Sequence, residues 1–240
     1  MLLFGDSVMR SQAPAVQRAL GATGVVRVKD DGFDGWGLTT DTGWRTGVPA
    51  QIRADRAQLV VAMWSFDDDF LVRHPIEYRR WLSSFTRLVI RQPGVEGLVY
   101  EQFPQVGPYP GLPAAVARAD AAAANRAIDA WNSLARRMVR LDPNRVVYLP
   151  VGPALERKGH FAWWLPPGNR WSDPPSRWVR VRTTDGVHMC PAGAVRYAHA
   201  LLRDLHVMLH LPAPSRGWTR GPWTRDPALY AGCPDDHPPT

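Results

Sequence analysis

The sequence predicts an α/β protein in which helices cover both faces of a parallel β-sheet. Short apolar segments rich in β-branched residues alternate with longer segments of helical periodicity, which is typical of such sheets. Hydrophobic residues make up 45% and charged residues 21% of the 240 residues. This composition supplies a hydrophobic core and excludes a disordered chain.

Five short segments predict strands, at residues 1–5, 24–28, 58–63, 95–102 and 145–150. Segment 58–63 is apolar almost throughout, which favours a strand buried on both faces. Four segments with helical spacing predict helices, at residues 13–20, 75–90, 114–141 and 192–209. Functional sites of parallel sheets lie at the carboxyl ends of the strands, so the residues that follow strands are the candidates for chemistry.

We expect a single domain over residues 1–211, because no segment resembles a linker. It includes an irregular, Trp-rich loop at 152–184, and a loop of this length inside a domain is usually functional. Residues 212–240 are predicted to form an irregular tail, rich in Pro and Trp, that packs on the domain. The longest apolar run, 59–64, is far shorter than the roughly 20 residues that span a bilayer, so we expect no membrane span.

The chain carries a net charge of +7, and all but two of its 29 basic residues are arginines. A GC-rich genome alone would produce this bias. The functional interpretation is that arginines bind carboxylates and phosphates, which would suit an acyl-CoA donor or an acidic glycan. The arginines are scattered and form no dense patch, so we expect no nucleic-acid partner.

Two cysteines, Cys190 and Cys233, are too few for a disulfide-stapled fold. Cys190 is expected to be a buried packing residue. An informative motif begins close to Met1 and leaves no room for a signal peptide, so a cytoplasmic location is expected.

The first motif is Gly5-Asp6-Ser7, directly after the first predicted strand. A helix beginning there would direct backbone N–H groups at an atom bound to the serine oxygen. The motif is not a Gly-x-Ser-x-Gly elbow, since Met9 replaces the second glycine. The alternative is that Ser7 only caps the following helix.

The second motif, near the other end of the chain, places Asp185 three residues before His188. The aspartate can orient the imidazole through one ring nitrogen and leave the other free to accept a proton from a serine. The alternative is an Asp-Gly turn beside an incidental histidine. Because both motifs follow expected strand ends, together they favour a Ser-His-Asp triad.

These two blocks resemble the first and last blocks of the SGNH (GDSL-type) serine esterase and acyltransferase superfamily. The resemblance implies Ser7 as nucleophile, His188 as general base and acid, and Asp185 as the orienting carboxylate. It also implies a flavodoxin-like three-layer sandwich with about five parallel strands.

The middle blocks match this superfamily less well. The resemblance implies that the N–H groups of Ser7 and Gly35 form the oxyanion hole, with Gly37 as the alternative glycine. Asp67 occupies a region where the superfamily has an asparagine donor, and an ionised aspartate can only accept hydrogen bonds. Ser65, a backbone N–H or the substrate would have to supply the missing donor, whose loss can cost about 2.7–4 kcal/mol.

Aromatic side chains near these blocks are candidates for substrate binding, since flat apolar rings suit a sugar or an acyl chain; the alternative is that they anchor loops. The predicted substrate-binding residues are Trp36, Trp64, Ser65, Asp67, Trp163 and Trp164. No metal site is expected, because the adjacent carboxylates 67–69 would point in different directions.

We expect an acyltransferase that moves a short or medium acyl chain, for example from acyl-CoA, onto a sugar hydroxyl without a cofactor. The partners would be a small-molecule acyl donor and a carbohydrate acceptor. Similarity to the actinobacterial octanoyltransferases of methylglucose lipopolysaccharide synthesis supports this expectation. The alternatives are an esterase that uses water as acceptor and an inactive carbohydrate-binding module.

Overall fold

A computed structural model describes residues 1–40, 43–64, 68–167 and 178–233. Its central feature is a five-stranded sheet in which every neighbouring pair of strands is parallel. The strands are β1 (Leu2–Gly5), β2 (Lys29–Gly32), β3 (Leu59–Met63), β4 (Gly97–Glu101) and β5 (Val146–Leu149). Their order across the sheet is β2-β1-β3-β4-β5, the flavodoxin-like arrangement.

Helices alternate with these strands along the chain. They are α1 (Ser7–Gly21), α2 (Trp44–Asp55), α3 (Asp68–Arg73), α4 (Pro75–Ile90), α5 (Ala114–Met138), α6 (Pro191–Leu209) and α7 (Pro227–Tyr230). The predicted fold class is therefore confirmed: the protein is an α/β protein with a five-stranded parallel sheet flanked by helices. No helix of the described residues is long and apolar enough to cross a lipid bilayer.

The chain divides into two compact units. The first comprises Met1–Met9, Lys29–Phe103 and Ala124–Pro150, and it holds the whole five-stranded sheet. The second comprises Arg10–Val28, Pro104–Ala123 and Val151–Thr240. Its short strands pair into two hairpins, β6 (Glu156–Arg157) with β7 (His160–Phe161) and β8 (Trp164–Leu165) with β9 (Val179–Arg180).

Two elements differ from the sequence prediction. The second strand was expected at 24–28 but lies at Lys29–Gly32, where Leu2 of β1 pairs with Lys29. This strand lies at the edge of the sheet, where it is partly exposed and tolerates the polar sequence KDDG. A search for apolar segments therefore does not predict it. Helix α1 begins at Ser7, six residues before the predicted start, because a buried carboxylate caps it there.

Candidate active site

The connection from β1 to α1 requires glycine at position 5. Gly5 pairs with Met63 of β3, and a Cβ atom added to Gly5 would lie 1.9 Å from the Met63 carbonyl oxygen. Any side chain there would push the two close-packed strands apart. The glycine therefore keeps β1 against β3 up to its last residue, and Ser7 follows two positions later.

Asp6, rather than Ser7, caps the first turn of α1. The fully buried Asp6 carboxylate accepts hydrogen bonds from the amides of Val8 at 2.9 Å and Met9 at 3.4 Å. These bonds satisfy two of the N–H groups left without a partner at a helix N-terminus. The alternative that Ser7 acts as the N-cap is wrong. Ser7 is the half-buried first residue of the helix, and its hydroxyl is not needed for capping.

Gly35, the predicted oxyanion-hole glycine, lies in a tight turn after β2. A backbone hydrogen bond of 3.2 Å closes the turn 33–36, and Gly35 has a φ of +70°, which residues with a Cβ atom rarely adopt. The turn follows Gly32, the register partner of Gly5, so Gly35 lies at the carboxyl edge of the sheet. Gly37, the alternative, is buried. The role of either glycine in oxyanion binding stays a prediction.

Trp36 and Trp64 belong to the aromatic core of the sheet unit. Trp36 is 5% exposed and Trp64 is not exposed at all. Their rings meet edge to face at 5.0 Å, Trp36 also packs on Phe4, and the Trp64 indole N–H donates to the Tyr78 hydroxyl at 2.8 Å. This corrects the expectation that they line a substrate cleft, because rings buried in this way have no face left for a ligand.

Trp163 and Trp164 keep part of their surface exposed. The Arg180 guanidinium carbon lies 5.4 Å from the Trp163 ring centroid and 5.8 Å from that of Trp164, both within cation–π range. Trp164 also pairs with Arg180 between β8 and β9. Substrate binding and loop anchoring therefore both remain open for these rings. Ser65 and Asp67, the other predicted substrate contacts, lie outside the described residues.

Asp185 and His188 form a direct pair, on what we call the dyad loop (residues 183–190). The His188 Nδ1 lies 2.7 Å from Asp185 Oδ2. The second oxygen, Oδ1, accepts bonds from the Val187 and His188 amides at 2.7 and 3.0 Å and from the Thr183 hydroxyl at 2.5 Å. The incidental-histidine alternative is therefore wrong, since four hydrogen bonds orient the carboxylate towards the ring.

These contacts fix the charge of Asp185 and the tautomer of His188. Partial burial by itself raises the pKa of Asp185, but the bonds from His188, Thr183 and the two loop amides outweigh it and hold that pKa well below its usual range. The carboxylate is thus ionised and can only accept, so Nδ1 must carry the proton. The other ring nitrogen, Nε2, is then the basic one.

Arg182 braces the dyad loop from within the protein. It is completely buried, and its guanidinium donates to the Val187 carbonyl at 2.8 Å and to the Gln105 carbonyl at 2.9 Å. Burial lowers the pKa of Arg182 to about 10, which leaves it charged at neutral pH. The Gly107 amide adds a bond of 2.9 Å to the Gly186 carbonyl. Segment 105–107 and the loop are thus held together.

Sequence reasoning missed these supporting residues. Asp6 could have been recognised, since aspartate is among the best N-caps. Thr183 could have been recognised less directly, from a hydroxyl two residues before the motif carboxylate. Nothing in the sequence distinguishes Arg182 from the chain's other arginines, because its burial is set by the tertiary structure.

Cys190 is buried, as expected, but forms a disulfide with Cys233. The interpretation as a plain packing residue is therefore corrected. The expected cytoplasmic location stays a prediction.

In the part of the chain that the structure describes, no three His, Cys, Asp or Glu side chains are grouped so as to hold a metal ion. The expectations of no metal, no cofactor and acyl-CoA as a donor stay predictions.

No family model and no curated protein matches the sequence. Solved structures do match it. An aryl esterase from M. smegmatis has a TM-score of 0.59 at 14% identity, over 86% of this chain and 97% of that chain. The carbohydrate acetylesterase Est24 from Sinorhizobium meliloti has a TM-score of 0.56 at 14% identity, over 86% and 98%. A protein described as an SGNH hydrolase, from Slackia heliotrinireducens, has a TM-score of 0.52 at 18% identity, over 84% and 96%.

At these identities the likeness shows the fold, and it agrees with the resemblance of the two end motifs. The similarity to octanoyltransferases is untested and stays a prediction. The chain has the fold of the SGNH hydrolases.

Proposed function

We propose that the protein is a serine esterase that hydrolyses small acyl esters through an acyl-enzyme on Ser7. The observation that carries this proposal is the Asp185–His188 pair, with its 2.7 Å bond and its fixed tautomer. An imidazole held in this way is suited to general-base catalysis. Because its side chain is partly exposed on a loop, a purely structural role explains this arrangement less well than a catalytic one.

In the proposed mechanism, His188 Nε2 takes the Ser7 hydroxyl proton as the serine oxygen attacks the ester carbonyl. The N–H groups of Ser7 and Gly35 bind the oxyanion. The leaving alcohol takes its proton from His188, and acyl-Ser7 remains. Water then attacks the acyl carbonyl while His188 takes its proton. His188 returns this proton to the Ser7 oxygen as the bond between Ser7 and the acyl group breaks, and the acid is released. Asp185 stays ionised throughout and stabilises the imidazolium that forms in each step.

Hydrolysis is a better proposal than the acyl transfer that the sequence first suggested. The three structural neighbours named above are described as esterases and as an SGNH hydrolase, and none of them is described as a transferase. The missing asparagine donor slows both reactions equally and so does not favour transfer.

For the substrate we propose an acylated carbohydrate. Est24 is a carbohydrate acetylesterase, and the partly exposed Trp163 and Trp164 offer flat faces of the kind that stack on sugar rings.

The first experiment is labelling with a fluorophosphonate probe followed by peptide mass spectrometry. We expect one adduct, on Ser7, and its loss in Ser7→Ala and His188→Ala. Ser84→Ala is the matched control, because Ser84 is exposed on α4 and, among the described residues, its hydroxyl bonds only to the Arg80 carbonyl of its own helix. Absence of any adduct on folded protein would favour the inactive binding module instead.

The second experiment separates hydrolysis from transfer. Acetylated xylose and a medium-chain acyl-CoA are each incubated with the protein, with and without a free sugar acceptor. The proposal predicts free acid at a rate that does not depend on the acceptor. Acylated sugar formed only when acceptor and acyl-CoA are both present would contradict it and restore the transferase hypothesis.

A further inference from the structure

The last residues that the structure describes contact the dyad loop near its first residue and at its last residue. We call residues 226–233 the C-terminal strap. The strap's Gly232 carbonyl accepts a hydrogen bond of 2.7 Å from the amide of Thr184 at the start of the loop. The Cys190–Cys233 disulfide ties the strap to the last residue of the loop. The Asp-His pair therefore lies between two attachments to the same short segment.

The fit between strap and loop is tight. A Cβ atom added to Gly232 would lie 3.1 Å from Thr183 Cβ and 3.2 Å from Thr184 Oγ1. Both distances are shorter than ordinary van der Waals contacts. Even a methyl group at this position would require the loop to shift by a few tenths of an ångström.

The strap is itself anchored on α1. Asp226 caps α7 by accepting from the Ala228 amide at 2.9 Å. The buried Tyr230 of that helix donates its hydroxyl to the Ser11 carbonyl of α1 at 3.0 Å. The hydroxyl of the same Ser11 accepts the amide of Met189, the residue after His188, at 3.3 Å. Strap, dyad loop and α1, the helix that begins with Ser7, thus meet at one serine.

We propose that the C-terminal strap positions the Asp185–His188 pair and that this role depends on the Cys190–Cys233 disulfide. The oxidised protein is therefore the active form. This inference rests on the proposed function. The internal hydrogen bonds of the dyad loop keep Asp185 against His188, and segment 105–107 holds the middle of the loop through Arg182 and Gly186. The strap holds the two ends of the loop. Catalysis needs the contact between Asp185 and His188 and also a fixed position of the loop, since small displacements of a general base lower the reaction rate.

The disulfide can be tested selectively, because Cys190 and Cys233 are the only cysteines in the chain. The protein is reduced with a phosphine and then reoxidised, and the Cys190→Ser/Cys233→Ser double variant is compared with it. On reduction we expect kcat for an aryl acetate to fall about ten- to a hundred-fold, within the contribution of a positioned base, with KM within about twofold. Reoxidation should restore kcat in the wild type but not in the double variant.

Nitrogen-15 NMR of the His188 ring supplies a readout that does not depend on activity. In the oxidised protein we expect a single tautomer protonated at Nδ1. In the reduced protein we expect the same tautomer, because the Asp185 contact lies within the loop, but a shifted or broadened ring signal, with the dispersion of the remaining amide signals unchanged. A protein that unfolds on reduction would instead lose that dispersion.

Tyr230→Phe tests the anchor with the disulfide intact. It removes only the hydroxyl that donates to Ser11, and we expect a smaller fall in kcat, about three- to tenfold, at unchanged KM. Tyr109→Phe is the matched control, because Tyr109 is 55% exposed and its hydroxyl has no hydrogen bond to the strap or the dyad loop within the described residues; it should behave as wild type.

Two results would overturn the proposal. One is a reduced protein with unchanged kcat and an unchanged His188 ring signal. The other is loss of activity on reduction only in parallel with global unfolding, which would make the disulfide a general stabiliser. If neither form hydrolyses esters but reduction still shifts or broadens the His188 ring signal, the positioning inference stands and the proposed function fails.

Discussion

Replacing Asp185 by Asn tests the role of the dyad most sharply. The Asp185 Oδ1 accepts three hydrogen bonds, from the Thr183 hydroxyl and the amides of Val187 and His188, whereas Oδ2 bonds only to the His188 ring in the part of the chain that the structure describes. An asparagine would keep its oxygen on those three donors and turn its NH₂ group towards Nδ1. The imidazole would then accept at Nδ1 and carry its proton on Nε2, the wrong tautomer for a base.

The expected size of the effect follows from this inversion. A Ser-His-Asp triad whose histidine is held in the wrong tautomer loses about 10⁴-fold in kcat, or roughly 5.5 kcal/mol of transition-state stabilisation. KM should stay within about twofold, because Asp185 faces the imidazole rather than a ligand. The protein should stay folded, since the three loop bonds to Oδ1 survive.

The assay is steady-state hydrolysis of an aryl acetate by wild type, Asp185→Asn and Asp204→Asn. Asp204 is a suitable control because its carboxylate pairs only with the adjacent Arg203 within the described residues. The control should match wild type. A loss of less than about tenfold in folded Asp185→Asn would refute the argument, since a general base contributes at least about a hundredfold.

Three further predictions concern stability. Arg182→Met should lower the free energy of unfolding by about 1–3 kcal/mol, because it removes the two hydrogen bonds that Arg182 donates to the part-buried carbonyls of Val187 and Gln105, and urea titration measures this loss. Gly5→Ala should cost at least about 1–3 kcal/mol, since its methyl group would collide with the backbone of β3, and a fall in Tm of less than a few degrees would contradict that. Asp185 has a lowered pKa in the folded state. Its ionised carboxylate therefore stabilises the folded state fully when the pH is above the unfolded-state pKa of about 3.9, and this stabilisation is lost as the pH falls through the folded-state pKa. The stability difference between wild type and Asp185→Asn, measured by urea unfolding, should therefore shrink as the pH falls below about 4.

The core of the fold could be predicted because its strands are apolar and buried. Segments 58–63, 95–102 and 145–150 all contain strands of the observed sheet. The edge strand Lys29–Gly32 could not be found in this way, because its composition is polar. It is a strand because it pairs with β1. Helix α2 carries Gly47 and Pro49 in its interior, which are poor helix formers, so local propensity does not indicate it.

The candidate site shows the same division. Asp185 and His188 could be paired from their spacing, because three residues on a tight turn bring the two side chains together. Trp36 and Trp64 were misplaced, since proximity in sequence to a strand end does not say whether a ring turns outward or packs into the core. The Cys190–Cys233 bond joins residues 43 positions apart, and only the folded chain brings them together.

The central claim is that Ser7 becomes covalently acylated with His188 as its base, and turnover of an aryl acetate tests it most directly. Samples quenched in acid during the steady state, digested and analysed by mass spectrometry should carry one acetyl group on the peptide containing Ser7. His188→Ala should not accumulate that acetyl group above its uncatalysed level. Ester turnover with an unmodified Ser7 peptide, or an acetyl group on another residue, would contradict the account.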